Sequence, residues 1–231
     1  MLDNIRKALV VAAHPDDEVL GCGATVAQMV RAGIEVRTLI LATGALSRPD
    51  TTASDVERLK HRARAAAKIL GTADPQFAGF PDNAMDTVPL IDIVRKVEQI
   101  GASFRPDLIL THHQGDLNID HQICFKAVLT AFRFLPGTPQ SAILSFETPS
   151  ATEYGALPTT AFVANHYVEI GDGLETKLQA LRAYDEEMRP SPHPRSIDHI
   201  RDLARVRGRE VGVGACEAFV LIRSLHKFIE S

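Results

Sequence analysis

The chain has 231 residues, 45% hydrophobic, 23% charged and 6% aromatic, with 15 Gly and 13 Pro, which excludes disordered, collagen-like and coiled-coil classes. That length gives a sizeable core and is taken as a single domain over 1–231. The net charge of −4, from 25 Lys and Arg against 29 Asp and Glu, creates no field favouring nucleic acid or an anionic membrane. Cys22, Cys124 and Cys216 are odd in number, widely spaced and outside any CxxC pair, so neither a disulfide framework nor a thiolate cage is expected. With no signal-type apolar stretch and no 18-residue apolar run, the expectation is a soluble cytoplasmic protein without stable membrane insertion; a homo-oligomer stays open.

Residues 8–13 form a short apolar run that stops at His14-Pro15-Asp16-Asp17, the pattern of a strand buried on both faces. Over 18–31 apolar residues recur at three- and four-residue spacing and predict a helix, with Gly33 placed for a left-handed cap. A second β-branched run covers 34–42. Ser54 with Glu57 three residues later predicts a capping box that opens a helix running to Leu70, ended by Gly71. A short strand over 76–80, a helix over 89–100, the run Leu108-Ile109-Leu110 and a helix over 119–133 follow. Beyond Pro136 the sequence predicts strands over 142–146 and 162–170, a helix over 174–186, a Pro-rich stretch, a helix over 197–209 and a closing strand over 217–226. This alternation specifies a Rossmann-like three-layer α/β fold with a mostly parallel sheet, right-handed crossovers and an elaborated C-terminal part.

In open parallel sheets the ligand site lies outside the carboxyl ends of the strands. The unusual residues collect there: His14 to Glu18 after the first strand, Thr43-Gly44 after the second, Pro81-Asp82-Asn83 after the third, and His112 to Asp116 with Asp120-His121 after the fourth. His14, Asp17 and His121 suit zinc, two imidazoles and one carboxylate leaving a position for water. Asp16 and Asp17 diverge as neighbours, so one carboxylate can bind metal while the other faces the water as general base. Metal makes this chemistry accessible by lowering the pKa of bound water from about 15.7 to about 7. A His-Pro-Asp turn also serves as a helix start, with Asp17 and Glu18 complementing the helix dipole. The second polar cluster at the same rim tips the balance to a metal site.

Ala13 to Glu18 reads Ala-His-Pro-Asp-Asp-Glu and resembles the signature of the PIG-L/LmbE-type metal-dependent de-N-acetylases. Phe80 to Asn83, Thr111 to His113, Gly115 to His121, Pro192 to Ser196 and Glu217 to Phe219 resemble a bacterial branch similar to enzymes of surface-sugar or amino-sugar metabolism. The resemblance implies that His14, Asp17 and His121 bind Zn2+ or another divalent ion and that Asp16 deprotonates the attacking water. It implies removal of an N-acetyl or other N-acyl group from a small-molecule amino sugar or its activated or lipid-linked conjugate. Where better-known members carry a histidine three residues before the last ligand, this chain has Asn118. The general acid is then sought among His113, His112 and His193, with Asn118 as a donor to the oxyanion.

Asp82 and Asn83 either bind sugar hydroxyls or make an ordinary turn. Arg195 either grips a phosphate or carboxylate of the substrate or pairs with Glu217 or Asp198. The basic run over 205–209 reads as a solvated helix end, His61, His166, His199 and His226 as surface or packing residues, and the cysteines as core. The segments 45–53 and 147–160 are expected to shape the substrate pocket. Two other classes compete. One is a nucleotide-binding enzyme, prompted by Gly21-Cys22-Gly23, although that pair sits inside the helix and the turn carries carboxylates that repel pyrophosphate. The other is a protein that holds metal without turnover.

Overall fold

The computed structural model describes residues 5–42, 52–136, 138, 140–155 and 158–225. Within these, β1 (Lys7–Ala12), β2 (Glu35–Ala42), β3 (Gln76–Phe80), β4 (Leu108–Thr111), β5 (Ala142–Phe146), β6 (His166–Glu169) and β7 (Cys216–Arg223) form a seven-stranded sheet. The order is β3-β2-β1-β4-β5-β7-β6. The first five strands run parallel, and β7 is antiparallel to both β5 and β6.

Successive side chains of a strand point to opposite faces. In β1, Ala8 and Val10 enter one apolar core and Leu9 and Val11 the other, so the strand must be apolar throughout. The first core packs under α1 (Asp17–Arg31), α2 (Ala53–Leu70), α5 (Gly173–Ala183) and α6 (Ile197–Glu210); the second packs under α3 (Leu90–Phe104) and α4 (Ile119–Ala131). Helices thus cover both faces, as the alternation of elements requires.

Several boundaries differ from expectation for local reasons. The capping box of α2 uses Thr52 and Asp55, not Ser54 and Glu57: Asp55 Oδ2 accepts the Thr52 N–H at 2.8 Å, and Glu57 pairs with Lys60 at 2.8 Å instead. Helix α3 continues to Phe104, until Arg105 turns left-handed at φ 53°. Helix α5 stops at Ala183, and residues 184–188 form a further turn closed by Glu187 N–H and Met188 N–H to the Tyr184 carbonyl. The strand expected over 162–170 is limited to His166–Glu169 and pairs with β7. Thr43-Gly44, most of 45–53, and His226 lie outside the described residues.

Helix α1 is broken at Cys22 (φ −145°, ψ 18°). The break strands the Leu20 carbonyl and the Ala24 and Thr25 N–H groups, which a regular helix would pair internally. Lys177 Nζ donates to Leu20 O at 2.7 Å, while Glu217 accepts from Ala24 N at 3.1 Å and from Thr25 N at 2.7 Å. The two side chains pair at 2.6 Å, both buried. A Cβ at Gly21 would lie 2.2 Å from the Phe146 ring, so this glycine admits β5 against α1 and cradles no phosphate. The glycine pair that suggested a nucleotide site is a packing and hinge feature within a helix. No helix among the described residues is long and apolar enough to cross a membrane, and all three cysteines are free and buried.

Candidate functional site

The chain leaves β1 for β2 on one side and returns to β4 on the other, so the carboxyl ends of β1 and β4 open a crevice at the point where strand order reverses. The end of β1 delivers His14, Asp16 and Asp17 as α1 begins. The end of β4 delivers His112 and His113, and Asn118 caps α4 by accepting the Asp120 N–H at 2.9 Å, which sets His121 in the first turn.

His14 Nδ1 and His121 Nε2 lie 3.2 and 3.3 Å from Asp17 Oδ2. Each ring is anchored behind by a buried carboxylate: Asp120 Oδ2 lies 3.0 Å from His14 Nε2, and Asp116 Oδ2 lies 2.9 Å from His121 Nδ1. His112 stacks on His121 at 3.8 Å between ring centroids, fully buried, with the Ala13 N–H donating to its Nε2 at 2.9 Å. Burial opposes charge on Asp17, yet the His121 and His112 rings hold its carboxyl well below the usual range. Burial would likewise lower His14, but Asp120 and Asp17 overcome it and raise the imidazole to about 10.

The residues present fit a divalent metal. Zinc–nitrogen and zinc–oxygen bonds of about 2.0–2.2 Å make a tetrahedral edge of about 3.3–3.6 Å, close to the 3.2 and 3.3 Å that separate Asp17 Oδ2 from the two imidazole nitrogens. Asp17 Oδ1 is buried without a hydrogen-bond partner, so the carboxylate keeps one oxygen that a cation could satisfy. The carboxylates around His14 hold it charged, and an ion between neutral imidazoles would supply that positive charge.

Asp16 turns the other way. Its Oδ2 accepts from Arg195 Nη1 at 2.8 Å, and Arg195 Nε donates to Ser150 Oγ at 2.8 Å. Burial pushes the Asp16 carboxyl well above its ordinary value; Arg195 opposes this, while Asp17, Glu187 and Glu18 reinforce it. Arg195 therefore holds Asp16 rather than Glu217 or Asp198, with Glu187 3.9 Å away. Glu18 is buried beneath the same turn and raised by burial to about 7, its two oxygens meeting the Asp16 N–H and the Tyr184 hydroxyl.

The other expected residues divide. Asp82 Oδ1 comes within 3.4 Å of His14 Nε2 and so joins the cluster. Asn83, at φ 50°, donates its N–H to Asp120 Oδ2 at 2.7 Å and accepts from Asn118 Nδ2 at 2.9 Å, bridging the two loops. Asn118 is thereby engaged at both ends of its amide. His113 is carried away from the cluster: its Nε2 donates to Thr160 O at 2.8 Å and its ring meets Phe162 edge-on. His193 is exposed, and its Nδ1 accepts the Arg195 N–H at 3.0 Å, so it supports the arginine's loop. Sequence reasoning missed the anchoring roles of Asp116 and Asp120, whose signal was two acidic residues shortly before a histidine at a helix start. It also missed Glu18 and Tyr184, 166 residues apart, for which no local signal exists.

Comparison with known proteins places these features in a lineage. An uncharacterized deacetylase of Escherichia coli, YaiS, is 32% identical over 153 residues, 64% of this chain and 77% of its own. The diacetylchitobiose deacetylase of Thermococcus kodakarensis is 25% identical over 219 residues, 91% of this chain and 80% of its own. Among solved structures, N,N'-diacetylchitobiose deacetylase from Pyrococcus horikoshii superposes with a TM-score of 0.77 at 20% identity, covering 96% of this chain and 85% of that one. GalB, a 4-carboxy-2-hydroxymuconate hydratase from Pseudomonas putida, superposes with a TM-score of 0.74 at 20% identity, covering 98% of this chain and 100% of that one. A deacetylase and a hydratase share this architecture, so the structural likeness speaks for the fold alone. The PIG-L model, described as GlcNAc-PI de-N-acetylase, matches residues 9–132, more than half of the chain, from within β1 through the end of α4, and the protein belongs to that family.

Proposed function

We propose that the protein is a metal-dependent hydrolase that removes an N-acetyl or related N-acyl group from an amino sugar or its activated or lipid-linked conjugate. The observation that carries this reading is the division of labour between adjacent carboxylates. Asp17 faces two histidines at metal-ligand spacing, and Asp16 faces away on Arg195. Family membership and the relatives named for deacetylation support the amide as the bond broken.

His14, Asp17 and His121 would hold the ion, and two nitrogens with one oxygen favour zinc, although other first-row divalent ions suit the set. A metal bound there supplies Lewis acidity toward the acyl oxygen and acidifies water. Asp16, made more basic by burial, accepts the proton from the water whose oxygen bonds to the acyl carbon. Arg195 fixes the carboxylate's direction and favours its ionised form, opposing the upward push of burial. As the C–N bond breaks, the amine nitrogen takes that same proton from Asp16, leaving acetate and a free amine. Asp16 can return the proton itself, since both amide ends of Asn118 are engaged, His112 is sealed beneath the cluster, His113 bonds through Nε2 to Thr160, and His193 is exposed and supports the Arg195 loop.

Metal titration of stripped protein should give one tight zinc per chain, lost in His121→Ala. Acetate release from N-acetylglucosamine and diacetylchitobiose should follow loading. Asp16→Ala should keep the metal and lose about 10²–10⁴-fold in kcat. Stoichiometric metal with no hydrolysis of any N-acyl sugar would sink the enzyme reading and leave a protein that only holds metal.

A further inference from the structure

Asp16 has φ 104° and ψ −31°, whereas the other described non-glycine residues of positive φ lie between 50° and 71°. Those φ values are near the left-handed basin, which L-residues enter at modest cost; Asp16 at 104° lies beyond it, where a Cβ is poorly tolerated. Such a conformation persists only if the surroundings over-determine it. From one side, the Asp16 carbonyl accepts Val19 N–H at 3.0 Å and Leu20 N–H at 2.8 Å. From the other, Glu18 Oε2 accepts the Asp16 N–H at 3.0 Å, folding back over two residues. Glu18 Oε1 accepts the Tyr184 hydroxyl at 2.6 Å, and Tyr184, which follows α5, is completely buried. Three residues later the same turn presents Glu187 to Arg195, which grips the Asp16 carboxylate.

We infer that Glu18 and Tyr184 are positioning residues that lock the strained Asp16 backbone, so that consecutive carboxylates face opposite jobs, Asp17 toward the histidines and Asp16 toward substrate. The inference rests on the reading of Asp16 as the base. Without the clamp Asp16 relaxes to negative φ, and its carboxylate swings off the guanidinium. The site then keeps its metal ligands and loses its base. The chemistry of the clamp is hydrogen bonding, not charge. A glutamine at position 18 can accept from the Asp16 N–H through its oxygen and donate to the Tyr184 oxygen through its amide. A leucine can do neither, and Tyr184→Phe removes only the outer bond.

The experiment compares Glu18→Leu, Tyr184→Phe and Glu18→Gln in the full chain, by metal stoichiometry, steady-state kinetics on an N-acetyl sugar that wild type hydrolyses, and crystal structures. Glu18→Leu and Tyr184→Phe should keep one metal per chain and lose roughly 10- to 100-fold in kcat with KM changed less than about threefold, while Glu18→Gln stays within about threefold of wild type. In the Glu18→Leu crystal, Asp16 should adopt negative φ and release Arg195. Should Glu18→Leu fail to fold, Tyr184→Phe carries the same comparison. Asp16 unmoved near φ 100° in both variants, or Glu18→Gln as damaged as Glu18→Leu, overturns the inference. If wild type hydrolyses no N-acyl sugar, the functional reading fails by itself and the Asp16 conformation in the crystals still decides the clamp.

Discussion

Asp116 and Asp120 show how much of the proposed metal site lies behind the residues that would hold the ion. Each lies against the far nitrogen of a histidine, Asp120 at 3.0 Å from His14 and Asp116 at 2.9 Å from His121, and orients that ring so that its near nitrogen faces Asp17. Asp120 does a second job, accepting the Asn83 and Met85 N–H groups and thereby holding the loop after β3 against α4. Asp116 likewise accepts from the Thr152 hydroxyl at 2.7 Å, tying the segment after β5 to the site. Replacing either by asparagine keeps the shape and removes the charge behind one imidazole. Asp116→Asn and Asp120→Asn should each weaken zinc 10- to 100-fold in a chelator competition, with the fold retained by circular dichroism. Affinity unchanged in both would strip these residues of any part in tuning the ligands.

The broken helix α1 poses a sharper energetic question, because its repair uses a buried ion pair. Lys177 and Glu217 come from α5 and β7, and between them satisfy one carbonyl and two N–H groups that Cys22 leaves open. Taking two charges out of water costs more than their attraction returns unless such extra bonds are made, whereas removing one partner leaves the other buried and uncompensated. Lys177→Met should therefore cost about 3–5 kcal/mol in denaturant unfolding. Adding Glu217→Gln should recover part of that loss, since the amide still accepts from one backbone N–H. A double variant no more stable than the single would mean that the charge of Glu217 is not the penalty. This splint was invisible in the sequence because it joins residues 157 and 40 positions apart. The strands and most helices were legible, because apolar runs and Gly33 or Gly71 act locally; both glycines take φ 81°. The same local logic misread the α2 cap, where Thr52 with Asp55 and Ser54 with Glu57 are near-equal patterns and only tertiary placement decides. The gathering of His14, Asp17 and His121 was legible from strand ends, whereas the Arg195–Asp16 pair, 179 residues apart, was not.

The crevice gathers Asp16, Asp17, Glu18, Asp82, Asp116 and Asp120, all buried, around three histidines and the Arg195 guanidinium. A bare cluster of that kind opposes folding through desolvation and mutual repulsion, relieved in part by Arg195, by charging the histidines and by the raised pKa of Asp16 and Glu18. A divalent ion would relieve it more directly, and it would also join parts of the chain far apart in sequence: the start of α1 after β1, and the start of α4 after β4. Metal that binds the folded chain stabilises it by about 2.7 kcal/mol at a hundred times its dissociation constant. At about 2–4 °C per kcal/mol for a chain of this size, zinc should raise the melting midpoint of stripped protein by roughly 5–10 °C. His121→Ala should abolish that increment, whatever its own midpoint. Asp16→Ala should preserve it, since Asp16 meets Arg195 rather than the histidines. An increment that survives His121→Ala would move the ion elsewhere in the fold, and one lost with Asp16→Ala would make that carboxylate a ligand rather than the base. Calorimetric scans of the three proteins with and without zinc thus separate metal binding from catalysis without requiring the substrate.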